Sequence, residues 1–218
     1  MKRILARGFT LVELLIVIAL LGVIATIVIA AINPIEQANR AADAGMKADA
    51  SQIVSAIQRY YTAHNEFPWN SCTGDGCIPP VATADLALAW KSADDAAVGI
   101  CGTTGAACKS ETTHGPLIEG LELQTAFLSK GWVGPLSQTR PNQIVVGKGA
   151  GASASVYVCW IPKANSNRQN LINSVNTRNK MVDSTADIGL TGVPTASTIC
   201  TTTSTGWTDG TCSECVPE

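Results

Sequence analysis

The chain has 218 residues, 46% of them hydrophobic and 15% charged, with a formal net charge of -2. That length holds one anchoring helix and a single globular domain with its own core. With two histidines, neither in a metal-ligand spacing, and no P-loop, dinucleotide fingerprint or G-x-S-x-G sequence, the common catalytic and cofactor signatures are excluded, and no catalytic residue, metal or cofactor is expected.

The chain opens on a basic leader, residues 1–8, with Lys2, Arg3 and Arg7 ahead of Gly8. From Leu14 to Ile32 there follow nineteen uncharged residues. At ~1.5 Å per helical residue they cover roughly 28 Å, about one hydrocarbon thickness. A secretory signal places a small-residue cleavage site after its apolar run, but here Asn33, Pro34 and a polar helix follow, so the better cut lies between Gly8 and Phe9. The leader's three cations hold it on the cytoplasmic side by the positive-inside rule and send the C-terminal domain outward. One carboxylate, Glu13, stands at the start of the apolar stretch, where an ionised group is costly unless it finds a partner.

Gly8, Phe9, Thr10, Leu11, Val12 and Glu13, followed by an apolar tract containing Gly22 and Ala25, resemble the class III signal of type IV prepilins and of the pseudopilins of type II secretion. The resemblance implies that a prepilin peptidase of the cytoplasmic membrane cuts after Gly8, that the new Phe9 amine is methylated, and that the apolar helix stays on the mature protein. It implies also that Glu13 meets the Phe9 amine of a neighbouring subunit and so sets axial register in a filament. The expected partners are therefore other copies of this chain, the membrane before assembly, the peptidase and the pilus assembly machinery.

Beyond the tract the pattern reads as one continuing helix from Phe9 to about Ala63. Met46, Ala50, Ile53, Ile57, Tyr60 or Tyr61 and His64 form its docking stripe, and Lys47, Asp49, Gln52, Gln58, Arg59 and Thr62 its polar face. Pro34 removes the hydrogen bond to Ala30 and predicts a kink near residues 30–34, with Gly22 a second weak point in an assembled filament. Many type IV pilins carry a proline near the end of the tract, where this chain has Ala30. Asn65 and Pro68 end the helix, and Tyr60-Tyr61, Asn65 and Phe67-Pro68 again resemble the helix end of pilins and pseudopilins. The expected segments are a leader at 1–8, a membrane and assembly helix at 9–33, its amphipathic continuation at 34–67, and an extracytoplasmic head at 68–218.

In the head, a loop at 69–82 precedes a short Ala-rich helix within 83–98, a loop at 99–116 and a helix within 117–130. Gln143–Lys148 and Ala154–Ile161 read as a hairpin around Gly147, Gly149 and Gly151, and a strand near Ser197–Thr203 joins them. The expected fold is α+β, a long N-terminal helix packed on an antiparallel sheet. Eight cysteines, Cys72, Cys77, Cys101, Cys108, Cys159, Cys200, Cys212 and Cys215, form a disulfide framework in an exported domain. Local bridges Cys72-Cys77 and Cys101-Cys108 come first. The last four pair either as Cys159-Cys200 with Cys212-Cys215 or in a crossed arrangement that ties Cys159 to the tail. A zinc site from the C-x4-C and C-x2-C spacings is the rival reading, disfavoured outside the cell. Asp75-Gly76 and Asp209-Gly210 read as turns, although some pseudopilins hold calcium in a C-terminal loop, which makes Asp209 and Glu214 faint ligand candidates.

Charge signs are segregated. No acidic residue occurs from Leu123 to Val182, but Lys130, Arg140, Lys148, Lys163, Arg168, Arg178 and Lys180 do, whereas the mature chain before it carries five basic and twelve acidic side chains. Such a segment reads as a solvated sheet face, a contact between copies or a weak nucleic-acid surface. The sequence is thus expected to encode a non-enzymatic pilus subunit. A secretion pseudopilin, or a minor pilin that binds DNA or a surface receptor, is the alternative.

Overall fold

Thr10 precedes the first apolar turn, and helix α1 runs Leu11–Ala31 in the computed structural model, which describes residues 8–31, 33–70, 88–133, 142–149, 154–173, 181–182, 207 and 212–216. Glu13 aside, α1 has no polar face to turn toward water, and all of its residues from 11 to 29 are exposed. The helical run is interrupted between Ala31 and Pro34, within the stretch where Pro34 predicts a kink. Asn33 accepts the Glu36 N–H on its side-chain Oδ1 and the Gln37 N–H on its carbonyl, both at 3.2 Å, and Pro34 occupies the first helical position, where its missing N–H costs nothing. These residues start a second helix, α2, Pro34–His64. Gly22, the other expected weak point, lies inside α1 with open space around its Cα.

The chain divides into two units, Met1–Ala38 and Asn39–Glu218. In the second, α2 turns Ala50, Ile53, Val54, Ala56, Ile57 and Tyr60 into the core, with Met46 packed against it. His64, placed on the stripe by spacing, is exposed and stacks on the Tyr60 ring instead. Asp49 corrects the expected polar face, for it is buried. Asn65 ends α2 in the left-handed region, φ 56°, its N–H bonded to the Tyr61 carbonyl at 2.7 Å.

A five-stranded sheet receives the helix. Its strands are β1 Leu88–Ser92, β2 Ile144–Lys148, β3 Val156–Trp160, β4 Met181–Val182 and β5 Ser213–Val216, in the order β1-β2-β3-β5-β4, with antiparallel pairing throughout. The β2-β3 hairpin forms as expected, in register from Ile144 opposite Trp160 to Lys148 opposite Val156. Leu88–Ser92, expected in a short helix, is an edge strand, and only Ala96–Val98 after it makes a 3-10 turn. The helix expected within 117–130 shrinks to α3, Pro116–Glu119, and a 3-10 turn at Thr125–Ser129. α4, Asn165–Asn173, was not legible from periodicity, because only its Leu171 is buried. The strand expected near Ser197–Thr203 lies outside the described residues.

Strand alternation then assigns faces. Ile144, Val146, Val156, Val158, Trp160 and Val216 join the α2 residues, Phe67, Trp69, Ile100 and Leu117 in one core. Cys159 and Cys215 form a separate cluster with half-buried Trp90, Val145 and Tyr157. The sheet and helices make the fold α+β, as expected.

Candidate assembly site

The N-terminus of α1 is built as a reciprocal cap. Thr10 donates its backbone N–H at 2.9 Å and its hydroxyl at 2.7 Å to Glu13 Oε2, and its Oγ1 accepts the Glu13 N–H at 3.2 Å. This T-x-x-E capping box fills two of the helix's orphan donors and occupies one carboxylate oxygen. Glu13 Oε1 has no partner among the described residues and faces outward with the exposed side chain. Phe9 is also exposed, at 81%. Beyond the cap, Leu11–Ile29 is long and apolar enough to cross a membrane, and the hydroxyl of Thr26 is absorbed by the Val23 carbonyl at 2.7 Å. The chemistry offered is a helix soluble in lipid or among like helices, with one free carboxylate oxygen at its tip. Thr10 had no assigned role in the sequence reading, yet the T-x-x-E spacing before an apolar run was the signal that could have found it.

Residues 5–29 match the model of the prokaryotic N-terminal methylation motif. The chain is therefore pilin-like, with a class III signal. No curated protein and no solved structure matches it. Association with a membrane and processing by a prepilin peptidase are what the motif implies in general.

Elsewhere in this pilin-like chain the expected site residues divide. Cys101 and Cys108 are bridged as expected, Cα to Cα 5.2 Å. Cys159 is bridged to Cys215, its cross-strand neighbour in the β3-β5 register, which selects the crossed arrangement and excludes both Cys159-Cys200 and Cys212-Cys215. The reason is geometric. Cys212 stands three residues from Cys215 at the start of an extended strand, roughly 10 Å away, too far for a bridge that needs Cα atoms within about 7 Å. Cys212 is disulfide-bonded as well, packed with Ile161, Leu171 and Trp207. Cys72, Cys77 and Cys200 lie outside the described residues. Cys101, Cys108 and Glu111 cluster closely enough to suggest a metal, but the sulfurs are joined to each other. The Glu111 carboxylate is taken by the Gly102 and Thr103 N–H groups and the Thr103 hydroxyl at 2.6–2.8 Å. Glu214, a faint calcium candidate, faces Lys47 at 3.6 Å, and Asp209 lies outside the described residues.

The basic segment is drawn inward. Lys130 pairs with Asp49 at 2.7 Å, and Trp132 donates its indole N–H to the other Asp49 oxygen at 2.9 Å. Lys148 is fully buried, donating to the Gly149 carbonyl with its ammonium 4.7 Å over the Phe67 ring. Arg168 donates to the Pro162 carbonyl and lies over Trp207. Three of the seven cations are thus engaged by the chain itself, which corrects the expectation of a common contact surface for them. Lys163 is half-buried, and Arg140, Arg178 and Lys180 fall outside the residues whose side chains are described. A second buried acid on α2, Asp43, accepts the Lys163 and Ala164 N–H groups and the Asn167 amide at 2.7–2.9 Å, tying the entry of α4 to α2.

Proposed function

We propose that the chain is a structural, non-catalytic subunit of a type IV pilus, held in the cytoplasmic membrane through residues 9–33 and then polymerised through the same helix into an extracellular filament. The observation that carries this is α1: twenty-one apolar-rich residues without a core of their own, closed at the tip by a capping box that leaves Glu13 Oε1 open. In this reading the peptidase removes residues 1–8, Phe9 is methylated, and its amine on one copy meets Glu13 Oε1 of the next. Only one stagger pairs both charges inside an apolar bundle, so the pair sets register. The domain at 68–218, with the continuation at 34–67 docked on it, forms the exposed head, which its disulfides suit to life outside the cell. Adhesion, motility and DNA uptake are the roles such filaments serve.

Surface filaments sheared from cells and identified by protein sequencing test the proposal. Abundant recovery of this chain beginning at methylated Phe9 is expected. Trace recovery makes it a minor pilin, and absence from filaments with retention in the envelope makes it a pseudopilin. A Cβ built at Gly8 meets nothing within 4 Å, so a bulky substitution there, Gly8→Leu, is expected to leave the fold intact. It is expected to accumulate uncut precursor and no filaments.

A further inference from the structure

Outside residues 9–35, Leu121 is the large hydrophobic side chain that stands exposed among the described residues, at 90%. It follows α3 and Gly120 and adopts the left-handed region, φ 60°, at a position just past a helix where glycine or asparagine is usual. The turn that presents it is held firmly. Its N–H bonds to the Ile118 carbonyl at 3.0 Å, and the N–H groups of Glu122 and Leu123 both bond to the Leu117 carbonyl at 2.9 Å. Leu117 is fully buried and donates to the Gly99 carbonyl at 2.8 Å, where Gly115 lies so close to Gly99 that a Cβ on it would come within 2.3 Å of that carbonyl. Arg59 on α2 clamps the far side, donating to the Glu122 carboxylate at 2.8 Å and to its carbonyl at 2.6 Å.

Two unfavourable features, an apolar side chain in water and a left-handed non-glycine backbone, therefore coincide at one rigidly held residue, and a glycine would remove both. Beside it opens a groove of about 440 Å³, walled by Ser51, Ser55 and Arg59 of α2 and by Leu123 and Phe127. We propose that Leu121 and this groove form a contact between neighbouring heads, with a second copy of this chain seated on Leu121 in the filament. The size of the patch selects that occupant. A stable interface between free partners needs about 800 Å² a side, far more than one leucine and a groove rim supply. Such a patch serves a partner already held by a larger contact, and α1 offers that contact to other copies of the chain. The inference rests on the filament reading above.

Full-length Leu121→Asp and Leu121→Gly variants, expressed in place of the wild-type chain, provide the test through sheared-filament yield and through the unfolding temperature of the mature protein in detergent. Both variants are expected to lower filament yield at least about tenfold. Leu121→Gly, by relieving the backbone, is expected to raise the unfolding temperature by about 2–4 °C. Filaments from Leu121→Gly at wild-type yield overturn the contact, even where Leu121→Asp fails to fold. A photo-crosslinking residue at position 121 is expected to join two copies within the filament, and a crosslink to a different protein alone overturns the choice of occupant. If the wild-type chain yields no filaments, the pilus reading falls and the contact with it. If wild type assembles and both variants match it, the contact alone falls.

Discussion

α1 leaves Leu11, Ile18, Leu20 and Ile29 at 59–79% exposure, whereas α2 buries Ala50, Ile53, Ala56 and Ile57 completely. The two helices follow one another in sequence, separated by the Asn33-Pro34 start signal, yet their apolar side chains are satisfied in different ways. α2 carries one apolar stripe and finds its partner in its own chain, in Phe67, Leu117, Ile144, Val158 and Trp160. α1 is apolar on all sides, and no single surface of a small domain covers such a helix. The difference teaches that the apolar surface of α1 is left for something outside its own core to cover, in the proposed function first lipid and then other copies. Asp43 and Asp49 mark the same division among the carboxylates. Theirs are used up within the head, while Glu13 keeps Oε1 open.

The contrast is most sharply broken at Glu13. Glu13→Ala is expected to reduce sheared filaments at least about a hundredfold, because a buried Phe9 amine then lacks its counter-charge. Unfolding of the mature protein in detergent, followed by tryptophan fluorescence, is expected to stay unchanged, since Glu13 is exposed and bonds only to Thr10 among the described residues. Wild-type filament yield from Glu13→Ala removes the register role.

Damage to the head reverses the pattern. Replacing Cys159 and Cys215 together by serine opens a bridge across a sequence separation of 56 residues. It is expected to cost at most about 4 kcal/mol, or roughly 8–16 °C in unfolding temperature. A shift under about 2 °C shows that the β3-β5 pairing holds without it. Asp49→Ala strips the acceptor from the Lys130 ammonium and the Trp132 indole, and is expected to cost about 2–3 kcal/mol in urea unfolding. Loss below about 0.5 kcal/mol means that water replaces the carboxylate and that Asp49 does not dock α2. Arg59→Ala removes a pair whose arginine side chain is 56% exposed, and is expected to cost only about 0.5 kcal/mol. A much larger effect shows that the clamp on the Leu121 turn supports the head as well as the contact.

Several of these features were legible in the sequence. Periodicity of 3.6 picked out Ala50, Ile53, Ile57 and Tyr60, Asn65 and Pro68 ended the helix, and the glycines between two β-branched runs gave the β2-β3 hairpin. Asp49 was misplaced because helical spacing ranks residues by polarity, and a buried acid is decided by a distant partner, here Lys130 and Trp132 more than eighty residues on. The stretch 83–98 read as helix because it is rich in alanine, and in Leu88–Ser92 the register with β2 overrode that preference. Cysteine spacing gave the Cys101-Cys108 loop but left Cys159 with two alternatives. Spacing suggests local loops, but Cys159 and Cys215 meet only because β5 lies beside β3 in that register.

What the sequence determined by itself is whatever depends on near neighbours along the chain: the apolar helix, the methylation motif at residues 5–29, the Thr10-Glu13 spacing and the stop at Asn65. Each of those signals is local, contained in one short stretch of consecutive residues. Only the tertiary structure decided which charges are spent and which remain. It put Lys148 in the core, joined Lys130 to Asp49, bridged Cys159 to Cys215 and left Leu121 in water, because each of these depends on residues far apart in sequence being brought to one place.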